Sequence, residues 1–263
     1  MQDVLKRNNV LVKGRGDKTI LFAHGFGCDQ NAWRYLSPEF ERDHQVVLFD
    51  YVGAGKSDIS AYDTARYASL NGYAEDISEI CSSLKLKDVI FIGHSVSCII
   101  GALAAIKNPD LFKKLIFIGP SPCYINNGDY VGGFDKEAID DLLEVMEEDY
   151  ISWAHSLAPA MMGESNGKKL GKELTDSFCS IDPMIAKQFA KVTFLSDNRT
   201  DLAAVPVASL TVQCSGDTIA PPAVGEFINK HTPDNTLKII EAQGHCPHMS
   251  EPEKTIAAIR EFL

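Results

Sequence analysis

The chain has no run of about 18 consecutive apolar residues, which excludes a membrane-spanning helix. Cations are scarce: 25 Lys and Arg stand against 36 Asp and Glu, for a formal charge of −11. That deficit removes the attraction to phosphate backbones and anionic lipid, so neither nucleic acid nor a membrane surface is expected as a partner. Much of the acid lies in one run, Asp135 to Asp149, where Asp and Glu fall on one helical face. The opening MQDVLKRNNV lacks the apolar stretch of a signal peptide. The seven cysteines (Cys28, Cys81, Cys98, Cys123, Cys179, Cys214 and Cys246) are odd in number and show no C-x-x-C spacing, against a disulfide framework or zinc site. Cys98 and Cys214 sit inside apolar stretches, where cysteine behaves as a small hydrophobe. Neither metal nor cofactor is expected, and a reducing cytoplasm is the expected compartment. No internal repeat or low-complexity segment is present.

What is there is a sizeable core. The 263 residues are 45% hydrophobic and suit one large domain. Short apolar runs ending in Gly or Asp alternate with helical periodicity, the pattern of a parallel sheet with crossover helices. Strands are expected at 19–25, 45–53, 88–93, 114–120, 209–217 and 236–245, and helices at about 73–86, after 95, near 221–231 and at 251–263. From 121 to 195 no strand-like run occurs; four helices are expected there, roughly 135–149, 150–162, 168–179 and 182–195. Asp182-Pro183 opens the last as N-cap and N1 proline. The expected organisation is an α/β core of 1–120 and 196–263, with 121–195 inserted as a helical lid.

The stretch FIGHSVSCI (91–99) carries the chemistry. A serine nucleophile must stand clear of its sheet, and an abrupt strand-to-helix turn achieves this if the residues two before and two after it are small. Gly93 meets the requirement, and Ser97 is compact although a second glycine is usual. In this architecture the acid follows in chain order at a late strand end and the histidine comes after the last strand. Asp217 closes SLTVQCSGD and His245 closes the strand leading into QGHCPH, so Ser95, Asp217 and His245 are the expected triad. His24-Gly25-Phe26-Gly27 ends an early strand, where the N–H of Phe26 with that of Val96 would form the oxyanion hole. His24 and His94 read as structural; His248 is a rival base inside the loop; Asp50 ends a strand but precedes the serine. A metal site at His245, Cys246 and His248 is too crowded to favour. Gly163 and Gly167 are natural lid hinges, and Glu144, Glu147 and Glu148 read as an outer acidic face.

Taken together, these stretches resemble the RsbQ branch of the α/β-hydrolase superfamily and the plant strigolactone and karrikin receptors. The matching segments are HGFGCDQNAW (24–33), VVLFDYVGAGKSD (46–58), GHSVSCIIG (93–101), GPSPCYINNGDYVGGF (119–134), FLSDNR (194–199) and GHCPHMS (244–250). HGFGCDQ, GPSPCY and GHCPHMS lean toward RsbQ, GHSVS toward the plant receptors. The resemblance implies an α/β-hydrolase fold, a mostly parallel sheet flanked by helices with a V-shaped four-helix lid over a deep apolar pocket. It carries the triad onto Ser95, Asp217 and His245, the oxyanion donors onto Phe26 and Val96, and the pocket onto Tyr124, Phe134, Trp153, Leu157, Leu174, Phe194 and Ile219. Leu157 and Leu174 stand where the plant receptors have phenylalanine, which argues against the plant hormones as ligands. It further implies a small hydrophobic ligand or ester, and a signalling role in activating a PP2C-type serine phosphatase with a sensor domain in a stress response. Residue patterns alone give a serine hydrolase; a free-standing carboxylesterase or lactonase fits them equally.

Overall fold

A computed structural model describes residues 3–263. Seven strands form one sheet in the order β1-β3-β2-β4-β5-β6-β7. They are β1 (Leu11–Lys13), β2 (Thr19–Ala23), β3 (Gln45–Leu48), β4 (Val89–His94), β5 (Phe112–Ile118), β6 (Ser209–Gly216) and β7 (Asn235–Gln243). All neighbours are parallel except the edge pair β1–β3. The fold is the expected α/β-hydrolase arrangement, with one strand unforeseen. β1 has only three residues, all exposed, so it has no alternation to detect.

The central strands read as continuous apolar runs because both of their faces are covered. Every residue of TILFA in β2 and of VIFIGH in β4 is buried. Alternate residues feed two cores. Ile20, Phe22, Val46, Ile90, Ile92, Ile116 and Val212 face one side with Trp33 and Phe40. Leu21, Ala23, Val47, Phe91, Leu115 and Phe117 face the other.

The helices preceding the nucleophile are α1 (Val4–Arg7), α2 (Ser37–Phe40) and α3 (Leu70–Ser83). α3 starts one turn earlier than the Tyr73 periodicity suggests, after an extended Ser69. α4 (Val96–Lys107) leaves β4 with one residue between them. Between β5 and β6 lie α5 (Lys136–Glu148), α6 (Tyr150–Met162), α7 (Lys168–Cys179) and α8 (Pro183–Phe194), close to the four expected segments. Each presents an apolar stripe: Ile139, Leu143 and Met146 on α5, and Leu174 and Phe178 with Gly171 and Thr175 on α7. Asp182 caps α8 by accepting from the N–H groups of Met184 and Ile185. These stripes merge with the sheet face that carries Leu21 and Phe91, and α6 and α7 reach loops that follow strands, Met161 C=O accepting from His245 N–H and Ser177 Oγ donating to Gly27 C=O. Glu147 does not belong to a free acidic face; its carboxylate pairs with Lys187 and Lys191 of α8 at 3.2 and 2.7 Å. The chain closes with α9 (Pro222–His231), α10 (Pro247–Ser250) and α11 (Pro252–Phe262). Among the described residues no helix is long and apolar enough to cross a membrane.

Candidate active site

Ser95 is the one residue between β4 and α4, and the junction bends so sharply that its φ and ψ are 57° and −127°. A non-glycine residue in that region is strained and persists only where its surroundings over-determine it. Here they do. Its N–H donates to Ile118 C=O at 2.8 Å, tying the elbow to β5. A Cβ on Gly93 would come within 2.8 Å of the Ser97 carbonyl and of the Phe91 ring, so the chain passes only because residue 93 has no side chain.

Ser97 is fixed by two hydrogen bonds. Its hydroxyl donates to His24 C=O and accepts from Tyr51 O–H, the latter at 3.0 Å, with no solvent exposure. One side chain thus joins the start of α4 to the loop after β2, a role the G-x-S-x-S pattern alone does not disclose.

The structure brings the three expected residues together although 150 positions separate Ser95 from His245. His245 Nδ1–H donates to Asp217 Oδ2 at 2.8 Å, leaving Nε2 facing Ser95 Oγ at 2.8 Å. Both side chains of the His–Asp pair are fully buried. Asp217 lies one residue beyond β6, and its carboxylate is further held by the N–H groups of Ile219 (2.9 Å) and Ala220 (3.0 Å) and by Gln213 Nε2 (3.2 Å). Such an array fixes the carboxylate in place and holds the imidazole in one tautomer, with Nε2 as the acceptor toward Ser95 Oγ. Tyr124 O–H, whose titration burial pushes upward, points at Ser95 Oγ from 3.2 Å.

The loop after β2 is held by hydrogen bonds and close packing. His24 Nδ1–H donates to Gly25 C=O (3.0 Å) and its Nε2 accepts from Tyr51 N–H (3.2 Å). Gly27, at φ +76°, lies under the Phe178 ring, where a Cβ would be 2.1 Å away. Phe26 and Val96 are buried at the loop and at the first residue of α4. Neither N–H is taken by a carbonyl or side chain among the described residues.

The expected pocket residues divide. Tyr124 and Phe194 meet edge-on at 5.2 Å, and Phe194 and Trp153 both meet the Phe26 ring, at 6.1 and 6.2 Å. Ile219 is buried beside Asp217, which its N–H supports. Leu157 is half-buried on α6 and packs against this core. Leu174 is buried and also lines an outer cleft with Cys28, Arg34 and Met249. Phe134 is half-buried, and its backbone pairs with Tyr124 C=O at 3.1 Å and Asn126 N–H at 2.7 Å. Phe178 and Phe189 complete the ring cluster on Phe26, at 5.3 and 5.7 Å, and sequence reasoning missed both. Their helical spacing from other buried positions was the available signal.

The rival histidines lie behind the site. His94 Nε2–H donates to the carbonyl of His245 at 2.9 Å, and the His248 ring lies tilted by 49° against that of His94, with centroids 4.2 Å apart. Burial drives the His94 pKa well below its usual value and that of His248 down to about 3, with nearby histidines adding to the effect, so both are neutral. Asp50 is a loop staple: its carboxylate accepts from Gln30 N–H, Lys56 N–H and Asn9 Nδ2 at 2.8, 2.9 and 2.7 Å. Among the described residues no group of three or more His, Cys, Asp or Glu is arranged to hold a metal ion.

Comparison with known proteins points the same way. The chain is 39% identical over 262 residues to a rice (Oryza sativa subsp. japonica) protein named as a probable esterase, covering 99% of this chain and 97% of the relative. It is 38% identical to the karrikin insensitive 2 receptor IA of Petunia hybrida, covering 100% and 96%. A solved structure of a hydrolase from Oleispira antarctica superposes with a TM-score of 0.97 at 45% identity, over 99% of this chain and 96% of the other. The sequence model of the alpha/beta hydrolase fold matches residues 18–252. With that match spanning six of the seven strands, the elbow and the loop of His245, the chain belongs to the α/β-hydrolase fold family.

Proposed function

We propose that the protein is a serine hydrolase that binds and slowly cleaves a small apolar ester or lactone, and that this serves signalling through a protein partner. One observation carries the chemistry: the unbroken series Asp217–His245–Ser95, with 2.8 Å at both steps, at a strained elbow. Ser95 Oγ attacks the ester carbonyl as His245 Nε2 takes its proton, while Asp217 stabilises the imidazolium. The N–H groups of Phe26 and Val96 receive the oxyanion. The imidazolium then protonates the departing alkoxide, and water, deprotonated by the same base, releases the acyl group from Ser95. Tyr124, Trp153, Phe194 and Ile219, with Leu157, Leu174 and Phe134 around them, form the apolar wall over the acyl-accepting serine. The segment 121–195 acts as the lid on a core of 1–120 and 196–263.

The signalling half of the proposal is supported by the resemblance to RsbQ and by the receptor name of the Petunia relative. The partner is a PP2C-type serine phosphatase with a sensor domain, met in the cytoplasm. Seven free thiols, six of them buried, accord with a reducing compartment. A second reading, a stand-alone carboxylesterase or lactonase, is favoured by the esterase name of the rice relative.

The test of the chemistry is Ser95→Ala. It should stay folded and lose p-nitrophenyl acetate hydrolysis apart from a residual rate, and a serine-directed sulfonyl fluoride should add its mass to the wild type at Ser95 only. Undiminished cleavage by the alanine variant would end the hydrolase reading. Pull-down of a phosphatase with the Ser95→Ala protein supports the signalling role; rapid turnover of one natural ester without any such partner supports the second reading.

A further inference from the structure

The base is held by more than its ring. His245 N–H donates to Met161 C=O at 2.7 Å, and its own carbonyl accepts from His94 at 2.9 Å. The first of these anchors belongs to α6, in its last turn, where carbonyls have no amide further along the helix to accept from. Gly163 N–H takes Pro159 C=O and Ala160 C=O at 3.1 and 3.2 Å, which leaves those of Met161 and Met162 to outside donors. Asn166 Nδ2 supplies the second, reaching Met162 C=O at 2.7 Å. The same nitrogen donates to Gln243 C=O at 2.7 Å, on the last residue of β7. One amide therefore uses both its protons to join the end of α6 to the end of the strand that leads into His245. The backbones touch as well. A Cβ on Gly244 would lie 2.2 Å from Met162 O, and one on Gly163 would lie 3.1 Å from Gly244 N. Gly163 and Gly167, at φ +84° and +85°, bracket the turn that Asn166 fastens.

We infer that Asn166 is a positioning residue for His245: it docks the α6–α7 turn on the 243–245 loop, and hydrolysis requires that the turn be docked. The inference rests on the hydrolase reading above. Without the clasp, the two glycines let the turn lift, Met161 C=O leaves His245 N–H, and the imidazole loses one of its two backbone anchors. A displacement of about 1 Å in such a site costs about 10²-fold in rate. Motion of the helices over the site is thereby transmitted to the base through the Met161 carbonyl, with Asn166 as the clasp that keeps it in place. A ligand or partner that binds more tightly when the turn is undocked lowers turnover in proportion to that preference.

Asn166→Asp tests this without changing shape, because it replaces both donors by acceptors facing two carbonyls. Asn166→Ala removes the group, and Asn166→Gln keeps the donors on a longer arm. The measurements are kcat and KM for p-nitrophenyl acetate, the rate of sulfonyl fluoride labelling at Ser95, and the thermal midpoint, with Ser95→Ala alongside. The Asp and Ala variants should lose about tenfold or more in both kcat and labelling rate, with KM little changed, and the Gln variant should recover part of the loss. A lowered midpoint with wild-type kcat and labelling, measured where the variant is folded, overturns the inference, as does an Asp or Ala variant that keeps both rates. The control separates the two failures. Full hydrolysis by Ser95→Ala overturns the hydrolase reading and the inference with it, whereas an inactive Ser95→Ala beside a fully active Asn166→Asp overturns the inference alone. Should Asn166→Asp fail to fold, the Ala and Gln pair makes the same comparison.

Discussion

Replacing Ser97 by alanine removes one hydroxyl from a site with no solvent exposure and leaves two partners behind, the His24 carbonyl and the Tyr51 hydroxyl. Each buried group left unpaired costs about 1–3 kcal/mol, so Ser97→Ala should destabilise the fold by about 3 kcal/mol. For a chain of this size that lowers the thermal midpoint by roughly 6–12 °C. Tyr51→Phe is a different perturbation. It removes the donor to Ser97 but leaves the serine proton on His24, so about 0.5–1.5 kcal/mol is expected. In the double variant Tyr51 no longer has a hydroxyl to strand, and only the His24 carbonyl remains unpaired. The double variant should therefore be more stable than the sum of the two singles predicts, by about 1 kcal/mol or more. Urea denaturation of the four proteins reads this directly. Strict additivity, or an unchanged midpoint for Ser97→Ala, would refute the account of Ser97 as a hydrogen-bonded link between α4 and the loop after β2.

The other expectations are simpler. Tyr124→Phe removes the hydroxyl 3.2 Å from Ser95 and should lower kcat for nitrophenyl ester by less than about tenfold, since one neutral hydrogen bond is lost. Gly93→Ala should give little folded protein, because its Cβ meets the Ser97 backbone at 2.8 Å; a normal yield of active enzyme would show that the elbow can relax. Acid should act through His94 and His248: the folded state refuses protons that the unfolded chain accepts below about pH 6.5, so stability is present above that pH and falls as pH drops toward their low folded values. The slope is about 1.4 kcal/mol per pH unit for each histidine, or roughly 2–3 kcal/mol between pH 7 and 5.5 for the two, and His248→Phe should reduce it by about half in urea titrations at the two pH values.

Why some of this was legible in the sequence and some was not follows from the range of the interactions involved. The strands and helices were readable because burial leaves a local pattern, a short continuous apolar run in TILFA of β2, covered on both faces, and an i, i+4, i+7 stripe on α5. Ser95, Asp217 and His245 were readable because fold order fixes where a nucleophile, an acid and a base must fall along the chain. No such rule reports on Ser97, whose hydroxyl spans 73 positions to His24, or on Asn166, whose amide spans 77 to Gln243. Glu147 illustrates the same limit in the other direction: helical spacing put it on an outer face, and only the packing of α8 against α5 brings Lys187 and Lys191 to it. Local pattern thus locates the groups that react, because chemistry demands particular residue types at strand ends. The groups that hold them in register are chosen by whichever distant backbone atom happens to lack a partner. A buried carbonyl needs a donor of some kind but does not prescribe serine, asparagine or histidine. Departures from an expected motif, such as serine for glycine at 97, are therefore the places where a sequence most plainly marks such a long-range bond, and where a substitution toward the common pattern should cost stability.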